Sequence, residues 1–129
     1  MIKVIFLLKF RQDLDKDEVR RWWRGEHGAL ALKNAGMKRY VQNHWTASVA
    51  AEHAEGGMPY DGCVEVWFED REAYEATMAS PEWKALEEDG VHGFDTGSLH
   101  GGFVTEYIMR WDAGPDGRIY RSAGEGPES

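Results

Sequence analysis

Apolar residues alternate with polar residues along four segments of the chain, which is the pattern of β-strands. These segments are residues 2–10, 37–46, 61–69 and 103–110. The first segment is apolar on both faces in its middle and carries a lysine near each end, so we predict a strand whose centre is buried on both faces of a sheet. Residues 47–60 and the glycine-rich residues 89–102 are predicted to be irregular, and so long a connection as 47–60 is typical of binding loops.

A helical pattern lies between the first two strands. Asp15 is predicted to cap this helix with Glu18 as its capping-box partner, and Gly36 is predicted to end it. One face carries residues at steps of three and four: Val19, Trp22, Trp23, His27 and Leu30. Gly25 and Gly28 interrupt this pattern at a cost of roughly 1 kcal/mol each relative to Ala, and close approach to a ligand or another element, or a helix end, would explain them.

A second helical region follows the third strand. Asp70 is predicted to cap its first part. Ser80 and Pro81 are predicted to restart the helix as an N-cap and a first-turn proline, with Trp83 and Leu86 facing inward.

The resulting order of elements is βαβ followed by βαβ. It predicts an α+β, ferredoxin-like βαββαβ domain in which a four-stranded antiparallel sheet carries its helices on one face. The other face would then be uncovered although two or more strands are apolar on both faces, so we predict a homodimer through the sheet faces. The domain is placed at residues 1–111, and residues 112–129, rich in Gly, Pro, Ser and charge, are predicted to be a flexible tail.

Composition and charge narrow the class of protein. The chain has 129 residues, of which 42% are hydrophobic and 12% aromatic, which suits one globular domain with a real core. A net charge of −8 argues against nucleic-acid binding, because that function needs a basic face. Cys63 is the single cysteine, so a reducing compartment suits the chain. The N-terminal apolar run is too short for a signal peptide and no run reaches the ~20 residues of a membrane span, so we predict a cytoplasmic protein that binds no membrane.

His27 is the first candidate for chemistry, because it lies on the apolar face of the first helix beside Trp23. A neutral imidazole in an apolar pocket can accept or donate a proton near pH 7. A hydrogen-bonded core histidine would show the same spacing, so the pattern alone leaves both interpretations open. Six tryptophans exceed what a small core requires, and we expect Trp22 or Trp23 to line a flat slot for a planar apolar ligand.

Tyr40 and His44 are two further candidates, since they share one face of the second strand. If that face is turned toward the helices, both side chains meet His27 across one pocket. Tyr40 could then donate a hydrogen bond to a developing oxyanion. Packing in a mixed core or interface face is the alternative for both residues.

The third strand carries two acidic candidates. Glu65 lies between Cys63 and Trp67 on what looks like a half-buried face, where a carboxylate needs a partner such as Arg39 or Lys9. Structural pairing is therefore favoured over catalysis for both Glu65 and Asp61. Asp61 and Trp67 are kept as candidate substrate-binding residues, together with Trp23.

No metal and no cofactor is predicted. The spacings of His44, His53, His92 and His100 match no metal-ligand motif. The chain also has no glycine-rich phosphate loop, and it has no obvious cationic cluster for haem propionates.

The chain resembles the EthD-like family over about residues 1–110. The resemblance is carried by residues 18–31 (EVRRWWRGEHGALA), 39–44 (RYVQNH) and 60–68 (YDGCVEVWF), and its most specific part is the W-x-x-x-H-G-x-L motif from Trp23 to Leu30. It implies a dimeric α/β barrel whose relatives include methylmuconolactone methylisomerase and the dehydratases, cyclases or anthrone oxygenases of aromatic polyketide pathways. The helix-one histidine of the family corresponds to His27, and the isomerase's strand-two tyrosine corresponds to Tyr40. A further isomerase histidine follows that strand and is matched to His53, which the resemblance thereby adds to the candidate substrate-binding residues.

Three functional hypotheses follow. The first is a cofactor-free dehydratase, cyclase or isomerase acting on a small aromatic or polyketide-like metabolite, with His27 as general acid or base and with Tyr40 and His44 orienting the substrate or stabilising an enolate. The second is a cofactor-independent oxygenase of a phenol or anthrone. The third is a binding protein that carries a hydrophobic metabolite without turnover.

Overall fold

The elements of the domain follow the predicted order. The computed structural model describes residues 1–49 and 59–110, so His53 and residues 112–129 lie outside the described residues. The elements are β1 (Ile2–Leu8), α1 (Lys16–Trp22), α2 (Gly28–Ala31), β2 (Met37–His44), β3 (Gly62–Phe68), α3 (Arg71–Met78), α4 (Pro81–Gly90) and β4 (His100–Val104). A π-helical turn, Trp23–His27, joins α1 to α2, and a short 3-10 turn, Thr96–Ser98, precedes β4.

The four strands form one antiparallel sheet in the order β2-β3-β1-β4. This confirms the ferredoxin-like α+β fold. Alternate residues of the strands point toward the helices and join the core: Val4, Leu8, Val64, Val66 and Phe68 from the sheet, with Val19, Trp23 and Phe94 from the helical side. The helices of the described residues that contribute to this core pack on the first face of the sheet.

Two of the three predicted helix caps are confirmed. The Asp70 carboxylate accepts a hydrogen bond from the Ala73 backbone, and the Ser80 hydroxyl accepts one from the Trp83 backbone. Asp15 occupies the N-cap position of α1, but its side chain makes no capping hydrogen bond, so the predicted capping box with Glu18 is wrong.

The first helix differs from the continuous helix that the spacing predicts. Within it, the Gly28 amide donates to the carbonyl of Trp23, five residues earlier, which defines the π-helical turn. The helix also ends before Gly36, because the buried Asn34 amide donates to the carbonyls of Leu30 and Ala31 and terminates the ladder there. Gly36 is required for another reason, since a side chain at this position would overlap Thr77.

The last strand begins earlier than predicted. The prediction placed it at residues 103–110, whereas β4 spans His100–Val104 and pairs with β1 from Leu7 to Lys3. Because β1 begins at Ile2, a strand in this register runs out of partners after residue 105. Gly101 belongs to β4 because its missing side chain leaves room for the ring of Phe6. No helix among the described residues has the length and apolar character that a membrane span requires.

A candidate active site between the sheet and the helices

A cavity of about 350 Å³ lies between the helix-facing side of the sheet and α4. Its walls are mostly apolar and include Phe6, Leu8, Val64, Val66, Trp83 and Leu86. Among the polar side chains that line it are His27 and Tyr40. A cavity that is apolar apart from a few polar groups is the usual form of a small-molecule site.

His27 is held rigidly at the wall of this cavity by the π-helical turn. The residue is 7% exposed, and its ring lies between those of Trp22 and Phe94, with ring centroids 4.6 Å and 5.2 Å away. Burial lowers the pKa of His27 below its ordinary value, and the nearby carboxylate of Asp89 acts in the opposite direction without reversing the shift. His27 is therefore neutral at pH 7 and able to accept a proton.

Asp89, in the last turn of α4, fixes the orientation of His27. Its Oδ2 lies 2.9 Å from Nδ1 of the imidazole. A carboxylate can only accept from this ring, so the hydrogen of neutral His27 resides on Nδ1 and the basic lone pair resides on Nε2. The sequence analysis missed Asp89, which is 62 residues away along the chain. One signal was available: acidic residues such as Glu88 and Asp89 oppose the dipole at the end of a helix.

Tyr40 is the second polar group of the cavity, and β2 turns it toward the helices. Its hydroxyl oxygen accepts a hydrogen bond of 2.9 Å from Nε2 of Gln42, the residue two positions along the same face. Burial raises the pKa of Tyr40, while the amide of Gln42 and the indole of Trp23 act to lower it. At neutral pH the side chain is a phenol that can donate one hydrogen bond.

His44 faces the helices as Tyr40 does, but the structure places it behind the cavity wall. Its ring stacks on Trp23 with centroids 4.0 Å apart, and Nε2 lies 2.8 Å from Oε1 of Gln42. Burial lowers the pKa of His44, and the positive charges of Arg24 and Arg20 lower it further. His44 therefore does not meet His27 across the cavity as expected, because fully buried Trp23, which does line the cavity, separates it from that space.

Asp61 is occupied by structural contacts at the start of β3. Its Oδ2 accepts from the Phe10 backbone at 2.8 Å, and Oδ1 accepts from Nζ of Lys16 at 2.9 Å. The carboxylate thus ties the end of β1 to α1, and the structure does not bring it to the cavity.

Trp67 lies on the opposite face of the sheet from His27. The Lys3 ammonium and the Arg39 guanidinium lie over its ring, 4.6 Å and 4.5 Å from the centroid. Glu65 on the same face forms an ion pair with Lys3 at 2.7 Å, as expected for a structural pair. The predicted partners, Arg39 and Lys9, were wrong. Trp67 is thereby separated from the cavity by the thickness of the sheet.

The described residues contain no group of three or more His, Cys, Asp or Glu side chains arranged to hold a metal ion. The polar side chains that line the cavity are His27, Tyr40, Glu87 and Thr96, and Asp89 contacts His27.

Comparison with solved structures gives the same fold. An ethyl tert-butyl ether D (EthD) family protein from Bacillus halodurans matches with a TM-score of 0.65 and 20% identity, over 83% of this chain and 100% of that one. HapK from Hahella chejuensis matches with a TM-score of 0.64 and 16% identity, over 88% and 100% of the two chains. A dimeric ferredoxin-like protein from Thermobifida fusca matches with a TM-score of 0.57 and 16% identity, over 81% and 90%.

Sequence comparison identifies the family. No curated protein matches the chain. The model of the EthD domain matches residues 11–97, which is more than half of the sequence and includes α1, the π-helical turn and α4. This protein therefore belongs to the EthD domain family.

Proposed function

We propose that this protein is a cofactor-free acid/base enzyme that moves a proton on a small aromatic or polyketide-like metabolite. The observation that carries the proposal is the contact between buried His27 and half-buried Asp89, 2.9 Å apart, at the wall of an apolar cavity that Tyr40 also lines. Dehydration, cyclisation or isomerisation of such a compound each needs a proton removed next to a carbonyl or hydroxyl group.

His27 acts as the general base in this proposal. Because Asp89 engages Nδ1, the Nε2 lone pair is available to take the proton from the substrate, and the carboxylate stabilises the imidazolium that forms. The same imidazolium then returns the proton to a carbon or to a leaving hydroxyl group. Proton transfer by a positioned side chain accelerates a reaction by about 10²- to 10⁴-fold.

Tyr40 stabilises the charge that this step creates. Removing a proton next to a carbonyl places negative charge on the carbonyl oxygen, and a phenol at the cavity wall can donate a hydrogen bond to it. The aromatic and aliphatic walls formed by Phe6, Trp23 and Trp83 favour a planar apolar substrate.

The test uses 2-tetralone, a planar bicyclic ketone with acidic hydrogens next to its carbonyl. We expect the protein to accelerate exchange of these hydrogens for deuterium in D₂O, followed by proton NMR. The variant His27→Ala should lose about 10²- to 10⁴-fold of the protein-dependent rate. His92→Ala is the matched control, because His92 is an exposed histidine after the end of α4.

Other outcomes would overturn the assignment. Exchange that is equally fast in His27→Ala would exclude His27 as the base. Oxygen consumption with 1,8-dihydroxyanthrone would favour the oxygenase hypothesis, and tight binding of these compounds without exchange or oxygen consumption would favour a carrier protein.

The proposal extends to a homodimer through the sheet faces. The open face of the sheet carries half-buried apolar side chains in its central and edge strands, including Ile5, Leu7 and Val41. Burial of such a face against a second copy is the simplest way to remove it from water. The protein of Thermobifida fusca that shares the fold is described as dimeric, which supports a dimer here.

A further inference from the structure

The side-chain amide of Gln42 connects three polar groups behind the cavity wall. Its Nε2 is 2.9 Å from the backbone oxygen of Trp23 and 2.9 Å from the hydroxyl of Tyr40. Its Oε1 is 2.8 Å from Nε2 of His44. Each polar atom of the amide therefore has a partner, and the two hydrogens on Nε2 are both used.

The partners leave the amide only one orientation. The backbone oxygen of Trp23 can only accept a hydrogen bond, so the nitrogen of the Gln42 amide must face it. The amide oxygen then faces His44, whose Nε2 supplies the hydrogen. Rotating the amide by 180° would place two oxygens against each other at the Trp23 carbonyl, which costs an unmade buried hydrogen bond.

This orientation determines what the Tyr40 hydroxyl can do. Since Gln42 donates to the phenolic oxygen, the phenolic hydrogen cannot point at the amide. The indole N–H of Trp23 can only donate and has no hydrogen-bond partner among the described residues, so it offers the phenolic hydrogen no acceptor on the protein side. Because Tyr40 lines the cavity, its O–H group can point to an acceptor there.

We propose that Gln42 is a positioning residue that holds Tyr40 as a hydrogen-bond donor to a substrate oxygen in the cavity. The inference rests on the proposed function, because it assigns Gln42 a role in the same acid/base site. A chain of donors runs from Nε2 of His44 through the Gln42 amide to the phenol, and hydrogen bonds in such a chain polarise one another. His44 thus supports the site through Gln42 and does not touch the substrate.

Gly28 makes this arrangement sterically possible. A Cβ atom at this position would lie 3.3 Å from Nε2 of Gln42 and 3.2 Å from the Trp23 oxygen. Both distances are tighter than ordinary contacts, so a side chain would push the amide away from the carbonyl that orients it. The glycine is explained by the approach of Gln42 from β2.

The first experiment measures the phenol directly and needs no substrate. Tyrosine labelled with ¹³C at Cζ is titrated by NMR, with the signal of Tyr40 identified in Tyr40→Phe. Gln42→Met keeps the side-chain length but removes the donor, and we expect the pKa of Tyr40 to rise by roughly one pH unit. Gln42→Glu should raise it further, because a carboxylate opposes the phenolate.

Asn43→Met is the matched control. Asn43 is the next residue of β2, faces the opposite side of the sheet and donates to Glu65. Its replacement should leave the Tyr40 titration unchanged. An unchanged titration in Gln42→Met would overturn the proposal, even if Gln42→Glu proves too unstable to measure.

The second experiment asks whether Gln42 acts through Tyr40. With 2-tetralone as probe, Tyr40→Phe should lower the maximal exchange rate by about 10²-fold, the loss typical of an oxyanion-stabilising donor. Gln42→Met should lower it about tenfold with little change in KM. In the Tyr40→Phe background, Gln42→Met should have no further effect, and an equal additional loss there would contradict the inference.

The two proposals fail in different ways. If the protein does not accelerate exchange but Gln42→Met still shifts the titration of Tyr40, the proposed function is wrong and the orientation of Tyr40 by Gln42 stands. If exchange depends on His27 but the pKa of Tyr40 is unchanged in Gln42→Met, the enzyme assignment stands and the role assigned to Gln42 is wrong.

Discussion

At the scale of single residues, Asp89 determines which nitrogen of His27 can act as a base. Its carboxylate lies 2.9 Å from Nδ1, and it also raises the pKa of His27 against the effect of burial. We predict that Asp89→Asn lowers the exchange rate at pH 7 at least about tenfold, because the tautomer and the stabilisation of the imidazolium are both weakened. Nitrogen-15 NMR of His27 should show a loss of the pure Nδ1–H tautomer.

The pH profile of this variant has a defined direction. In the wild-type protein, kcat/KM falls on the acid side as His27 becomes protonated, below its ordinary pKa of 6.5. Asp89→Asn removes the charge that raises the pKa of His27, while the burial that lowers this pKa remains. The acid limb should therefore move to lower pH. Glu88→Gln is the control, because its side chain is the exposed neighbour in the same helical turn. An acid limb that moves to higher pH would contradict the assigned pair.

The candidate residues differ in how far the sequence could identify them. Strand alternation left open whether the face of Tyr40 is turned toward the helices, but the apolar helical face of His27 and the strand face shared by Tyr40 and His44 were predictable. Asp89 and Gln42 were not, since their roles depend on partners 62 and 19 residues away that only the packed structure brings into contact. His44 shares a strand face with Tyr40 as predicted, but the ring of Trp23 that lies between it and the cavity was not predicted.

At the scale of elements, the two glycines in and directly after the π-helical turn Trp23–His27 have different surroundings, so replacing them should change the stability of the protein in opposite directions. A Cβ atom at Gly25 would meet nothing within 4 Å, whereas one at Gly28 would meet Gln42 and the Trp23 oxygen. We predict that Gly25→Ala stabilises the protein by about 0.5–1 kcal/mol through helix propensity. Gly28→Ala should instead destabilise it by about 1–2 kcal/mol, because overpacking outweighs that gain.

Urea unfolding followed by circular dichroism measures both effects, and the two variants serve as controls for each other. The same substitution is made three residues apart in one helical segment, so propensity cancels in the comparison. Equal free energies of unfolding for the two variants would show that the side chain of Gln42 can move away from residue 28 at no cost. That result would contradict the steric role assigned to Gly28.

Element boundaries were predictable where they depend on local chemistry. The caps at Asp70 and Ser80 follow from neighbouring residues alone. The interruption of the first helix and the early start of β4 depend instead on tertiary contacts, namely the approach of Gln42 to the Trp23 carbonyl and the register of β4 against β1. The alternation of apolar and polar residues in 103–110 predicted a strand. It could not show that the partner strand, β1, has no residues left to pair with most of that segment.

At the scale of the whole molecule, the open face of the sheet combines apolar side chains with one buried charge cluster. Lys3 is 7% exposed and contacts Glu65 at 2.7 Å and Glu106 at 2.6 Å. Burial acts to lower the pKa of Lys3, but the hydrogen bonds and charges of Glu106 and Glu65 outweigh it, and the pKa is raised. Lys3 is paired with two carboxylates of its own chain, so a second copy that covers the face does not bury an unpaired ammonium at this position.

The proposed dimer is tested on this face with Val41→Lys. Val41 lies opposite Glu65 in the register of β2 and β3, so a lysine there gains a neighbouring carboxylate and the single chain should still fold. In a sheet-to-sheet dimer the added ammonium enters an apolar interface, where an imperfectly paired charge is costly. Sedimentation should therefore give about twice 14.7 kDa for the wild type and 14.7 kDa for Val41→Lys. The control is Leu32→Lys, at a 73% exposed position after α2, which should remain dimeric. A wild-type protein that sediments as a monomer at micromolar concentration would exclude the dimer. The role of His27 would then still be tested by the exchange experiment.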